Sequence, residues 1–355
     1  MKYLSLKLLF LSLLSLYSLE AKPVYEHSKS EANSECASCH DMKEGKEYFH
    51  APVRAGSCNS CHNVFAKTKD LLRVDNIMDI CIMCHSDKRR LIEADENVHP
   101  PVKQTCTNCH DPHAGDHLYR LKADRKKDIC LTCHTEKKAW IESVKNKHGA
   151  INLENGGCIA CHDPHGTSRP KMIKAEGTKD LCLKCHNKSL KRDEDGVRLL
   201  NIGKHLKNNK KWHGPIIVSE CTGCHNPHGS NNHRMLKAPY PKTTGKEKFS
   251  PDKYVCFKCH QVEKFTDPQT TTQTNFRKGT KNLHTVHVKT SSITCGTCHD
   301  FHGVNKFLPL IKDKGVFFGT KFPLRYIKKP TGGSCNPICH ARRHYDRGDS
   351  VAPTQ

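Results

Sequence analysis

The stretch Cys158-Ile159-Ala160-Cys161-His162-Asp163-Pro164-His165-Gly166 decides the reading of this chain. Two cysteines separated by two residues and followed at once by histidine form the attachment pattern of c-type haem. The thiols add across the two vinyl groups, and the histidine takes one axial position on iron. A second histidine, three residues on, needs its own explanation.

The pattern recurs down the chain. Ten copies are perfect: Cys36, Cys39 and His40; Cys58, Cys61 and His62; Cys81, Cys84 and His85; Cys106, Cys109 and His110; Cys130, Cys133 and His134; Cys158, Cys161 and His162; Cys182, Cys185 and His186; Cys221, Cys224 and His225; Cys256, Cys259 and His260; Cys295, Cys298 and His299. The eleventh, Cys335-Asn-Pro-Ile-Cys339-His340, has one extra residue between its thiols. Eleven pairs use all 22 cysteines. A disulfide scaffold does not need a histidine after every second cysteine. A zinc ribbon uses its cysteine pairs two by two, and here their number, eleven, is odd. A haem-free metal-storage protein is disfavoured on the same grounds.

After the lone first motif the others fall into couples, with leading cysteines 58 and 81, 106 and 130, 158 and 182, 221 and 256, and 295 and 335. The expected organisation is a signal peptide over 1–21, then one multihaem unit over 22–355. Within it, motif 36–40 precedes repeats at about 50–90, 99–147, 148–204, 213–283 and 284–345. Each repeat has an upstream histidine, a Pro or Gly turn after its first motif, and commonly Lys-Asp-apolar before its second, as in Lys127-Asp128-Ile129 and Lys179-Asp180-Leu181.

Composition excludes an ordinary hydrophobic core. Only 35% of residues are apolar, 6% are aromatic, and the mean hydropathy is −0.69. About 30 residues per motif cannot bury a haem and also build a separate core, so packed haems must be the core. The expected fold class is mainly irregular, with short helices, in an elongated unit. Helices are expected at 137–145 and 183–191. A hairpin is expected near the C-terminus, where Phe307 to Ile327 alternates around Lys314-Gly315.

Lys2, the Leu- and Ser-rich run from Leu8 to Leu19, and Leu19-Glu20-Ala21 read as a secretory signal cut after Ala21. The expected location is therefore exported: the periplasm, with an outer-membrane-associated or extracellular setting as alternatives. No cysteine follows the cut, which argues against a lipid anchor. The formal charge of +22 would suit nucleic acid or a membrane surface. Eleven haems carry twenty-two propionates, which nearly cancel it, so no nucleic-acid partner is expected.

Fifteen of the 26 histidines lie outside the motifs. Six stand seven to ten residues before one: His27, His50, His99, His148, His213 and His287. Four follow a motif at the spacing of His165: His113, His165, His228 and His302. Three residues span at most about 10 Å, too short to round a porphyrin. His165 therefore cannot face His162 across one haem and must reach a neighbouring one. These ten are the candidate distal ligands, giving bis-histidine iron, six-coordinate and lower in potential than His/Met iron. One ligand is then missing for eleven haems. The gap is expected near the N-terminus, where the first couple lacks a downstream histidine. His117, Met78, Met83, or His344 of another copy are the candidates to fill it.

The couples, together with Cys106 to His113, Cys158 to His165 and Cys221 to His228, resemble the multihaem c-type cytochromes with doubled Cys-x-x-Cys-His motifs, over about residues 27–345. That resemblance implies electron transfer along a bis-histidine haem wire. Members of the group act as periplasmic carriers, as decahaem conduits through outer-membrane porins, or as extracellular conductive cytochromes. The implied partners are other cytochromes, a quinol-oxidising complex or a terminal reductase, together with a porin or further copies of the chain. The eleventh motif departs from the decahaem pattern. The competing reading is a reductase of nitrite, sulfite or another oxyanion, which needs one haem with an open distal position. No Cys-x-x-Cys-Lys motif of the nitrite reductases occurs.

Overall fold

The computed structural model describes residues 40, 45–63, 71–94, 97–153, 156–192, 195–307 and 310–348. The expected signal peptide, His27, Cys36 and Cys39 lie outside them. The chain is mostly loop, with short helices and small antiparallel ribbons, as its Gly, Pro and Asn content dictates. Only thirteen apolar residues are buried among those described. No described helix is long and apolar enough to cross a membrane.

First motifs form tight turns, at Cys58–Ser60, Cys106–Asn108, Gly157–Ala160 and Cys295–Cys298. Second motifs start on helical turns, at Ile77–Cys84, Asp128–Leu131, Thr178–Leu183 and Val255–Lys258. The Lys-Asp-apolar signature is the start of such a helix. Asp128 and Asp180 sit in the first turn, where a carboxylate complements exposed N–H groups. One expected helix is found two residues early, at Thr135–Ser143. The other, at 183–191, is absent. Its helix is Thr178–Leu183, after which Asn201 donates to the carbonyl of Asn187, and a hairpin pairs Lys191 with Arg198.

After each first motif the chain returns to pair its histidine with an aliphatic residue: His62 with Leu72, His110 with Leu121, His162 with Ile173, His225 with Leu236 and His299 with Ile311. The return requires left-handed backbone at Tyr119, Lys171, Arg234 and Leu310.

Two-residue ribbons then tie each repeat to the next. Tyr48–Phe49 pairs with Ala114–Gly115, Asn97–Val98 with Gly166–Thr167, and Lys211–Trp212 with Gly303–Val304. Asn146 and Ser230 make the equivalent bridge. In every case the strand before an upstream histidine meets the strand after the following repeat's downstream histidine. Gly166, at φ +146°, lies so close to Val98 that a Cβ would stand 2.9 Å from its Cα.

The expected C-terminal hairpin is present, but its turn is Phe318-Gly319, between Lys314–Phe317 and Thr320–Pro323. Gly315 lies within a strand because a Cβ there would strike the Phe322 ring and the Thr297 carbonyl. A three-stranded sheet follows, of Ile327–Lys328, Gly332–Cys335 and Arg343–Asp346. It carries Cys335, and the alternation pattern did not signal it because glycines form its centre.

Candidate haem sites

The downstream histidines owe their position to the residue after each motif. A side-chain oxygen of Asp111, Asp163, Asn226 or Asp300 accepts the backbone N–H of His113, His165, His228 or His302, at 2.8 to 3.1 Å. This Asx turn is the reason for Asp or Asn in the motif. The upstream histidines are held by the ribbons. His50 N–H donates to His113 O at 2.9 Å, and His99 N–H to His165 O at 3.1 Å.

The outcome is a set of facing imidazoles. Each downstream ring stands opposite the first-motif histidine of the preceding couple: His113 with His62, His165 with His110, His228 with His162, and His302 with His225. Upstream rings stand opposite the second-motif histidine of their own couple: His50 with His85, His99 with His134, His148 with His186, His213 with His260, and His287 with His340. The tenth pair is His284 with His299. All ten centroid separations fall between 6.0 and 6.5 Å. Two imidazoles trans on one metal, with metal–nitrogen bonds of about 2.0 Å and ring centres about 1.1 Å further out, stand roughly 6.2 Å apart. The described residues fit a bis-histidine metal.

His284 is the residue that sequence reading missed, and the expected gap near the N-terminus is corrected by it. The downstream histidine of one repeat serves the couple before it, so the vacancy falls at the last couple, which has no successor. The signal was the pair His284 and His287, one turn apart at the π-helical segment Thr285–Thr290. The other candidates are placed elsewhere. His117 opens the turn Leu118–Arg120, Met78 and Met83 lie on Ile77–Cys84, and exposed His344 pairs with Ser334 in the terminal sheet.

Tautomer and charge are set for ligation. Backbone carbonyls meet Nδ1 of His50, His99, His110, His162, His225 and His287, at 2.7 to 3.0 Å. The Nδ1–H donates, leaving the Nε2 lone pair for metal. Burial favours the neutral imidazole of several of the others, pushing His228 and His302 down to about 4 and His284 to about 3.

The cysteines form a row in sequence order. Across repeat boundaries, Cys81 meets Cys106, Cys130 meets Cys158, Cys182 meets Cys221, and Cys256 meets Cys295 through their side chains. Within couples, Cys109 lies near Cys133, Cys161 near Cys185, and Cys298 near Cys335 and Cys339. One continuous cavity of about 4340 Å³ runs along this row, lined by residues from His40 to Leu310. Ordinary small-molecule sites hold about 300–1,000 Å³. A doubled CXXCH family model matches residues 50–90, 99–139, 151–191 and 213–265, about half of the chain.

The chain is a multihaem c-type cytochrome of the doubled CXXCH motif family. It is also 33% identical over 93 residues to the multiheme cytochrome MtrA of Shewanella baltica. That match covers 24% of this chain, and the cytochrome spans only 27% of the relative's length. The cytochrome thus binds haem c covalently.

Proposed function

We propose that this cytochrome carries eleven haems c in one row and conducts electrons between its terminal motifs, outside the cytoplasm. The observation that carries the reading is the run of ten facing imidazole pairs in chain order, nine of them along one cavity. With His284 assigned to the tenth motif, His27 remains for His40, and eleven ligands serve eleven motifs. When bound, haem supplies a one-electron ferric/ferrous couple. The chain's residues do the rest. Thiols fix each macrocycle, neutral imidazoles hold iron low in potential, and the ribbons set the spacing. The lysines and arginines balance the propionates.

The N-terminal pattern supports export. An electron donor and an acceptor protein are the partners this reading requires, and a porin sheath or further copies of the chain are compatible with it. The oxyanion reductase alternative needs an open sixth position. None of the ten described pairs offers one, and the reductase reading has no other observation in its favour.

The test is the intact mass and spectrum of protein made in a host with cytochrome c maturation. The expected mass is that of the chain from Lys22 plus eleven haems, with every haem low-spin and no carbon monoxide bound by the reduced protein. Fewer haems, or a haem that binds nitrite or sulfite in the wild type, would overturn the reading.

A further inference from the structure

The eleventh motif lies beside the tenth but outside the common cavity. Cys335, Cys339 and His340 do not line the common cavity, and the motif is built on the terminal sheet. Asn336 N–H donates to Leu324 O at 3.1 Å, which lays the attachment loop along the segment leading to Ile327. In that loop Ile338 is 62% exposed and Cys339 is exposed, while Ile327 is 49% exposed.

Charge around this loop is one-sided. Cations outnumber carboxylates 58 to 36 in the whole chain. From residue 321 onward the ratio is seven to two, the carboxylates being Asp346 and Asp349. Asp346 is occupied by the Thr331 hydroxyl and the Gly348 N–H. Lys321, Arg325, Lys328, Lys329 and Arg343 are exposed; none of them makes a close ion pair among the described residues, and only Lys329 acts on Asp346 at longer range. The net +5 exceeds what two propionates of one haem would neutralise.

Resting on the conduit reading, we infer that this surface docks an acidic one-electron carrier protein, which exchanges electrons through the eleventh haem. Two exposed isoleucines on a segment rich in exposed cations have the composition of a transient protein interface, with a small apolar part and charged residues beside it. Guanidinium forks suit bidentate carboxylates. An anionic bilayer would be met better by an amphipathic helix, and the terminal sheet has none. Charge steering of this kind raises association rates and fades with salt.

The test uses the holoprotein and the variant Arg325→Gln/Lys328→Gln/Lys329→Gln, with reduced flavodoxin as the acidic probe. Stopped-flow reduction of the wild type should slow steeply between about 20 and 300 mM ionic strength. The variant should be about tenfold slower at low salt, with a flattened salt dependence. Reduction by hexaammineruthenium(II) should be equal in the two proteins, showing that the haems remain competent. Unchanged flavodoxin kinetics would overturn the inference. So would a variant that loses only binding to phosphatidylglycerol vesicles, which assigns the patch to membrane. A wild type whose mass lacks one haem would instead refute the conduit reading at this site, before any partner is added.

Discussion

Removing the His284 imidazole should open one haem and no other. Its ring stands 6.5 Å from that of His299, and nothing nearby can replace it. Phe265 and Phe276 flank it at 5.2 Å each, and its Nδ1 contacts the Thr274 hydroxyl at 3.2 Å. Neither phenyl ring nor a neutral threonine hydroxyl is a ligand for ferrous haem. In His284→Ala, one haem of eleven therefore becomes open on its distal face. The dithionite-reduced variant should bind one equivalent of carbon monoxide per chain, where the wild type binds none. About 9% of the Soret amplitude should shift, one part in the eleven attachment motifs. The oxidised variant should gain a single high-spin EPR signal. His117→Ala, Met78→Leu, Met83→Leu and His344→Ala should each remain fully low-spin. If His284→Ala binds no carbon monoxide, or any of those four does, the assignment of the tenth haem is wrong.

Three further outcomes follow from the geometry. The His287 and His340 planes are twisted by 55°, whereas the other nine pairs lie within 22°. Twisted axial planes raise the largest g value of low-spin haem, so EPR should show one such species beside the rhombic majority, and it should vanish in His340→Ala. Gly166→Ala should cost about 1–3 kcal/mol, because a residue at φ +146° must also push the Asn97–Val98 strand away. Urea unfolding followed by circular dichroism should place it well below Gly196→Ala, where φ is +67° and the added Cβ meets nothing. Acid should destabilise the fold. Burial and ligation both hold His228 and His302 neutral in the folded chain, so protons enter the unfolded chain first. Stability should hold above about pH 6.5 and fall as the pH drops from there, read as the unfolding midpoint at each pH.

What the sequence made legible was local chemistry, and what it hid was long-range pairing. The eleven motifs and nine of the facing histidines stand out because a covalent site needs fixed residues at fixed short spacing. The argument from reach also sufficed to exclude His162 as the partner of His165. It did not say which neighbour His165 meets. That depends on the ribbon of Gly166–Thr167 with Asn97–Val98, closed across about seventy residues by only two pairs, too short for any alternation to announce. The hairpin turn was misplaced because Gly315, a packing glycine, looks the same in sequence as the turn glycine Gly319. Likewise, His284 carries no motif of its own. Its role follows only once the direction of ligand exchange is known.

That direction explains why both ends of the chain are irregular. Each couple keeps its upstream histidine opposite its own second-motif histidine and sends its downstream histidine back to face the first-motif histidine of the couple before it. An array built this way cannot end cleanly, as in other repeat proteins whose terminal units depart from the consensus. At the C-terminal end the last couple has no successor to donate a ligand. There His284 and His287, three residues apart at the start of one short π-helical segment, face both of its motif histidines, with Phe276 packed against both rings. At the N-terminal end the first couple has no downstream histidine to send back to the lone motif before it. The wider spacing from Cys295 to Cys335, the π-helical turn and the terminal sheet are then parts of one local arrangement, and it is this arrangement that sets the eleventh motif outside the common cavity.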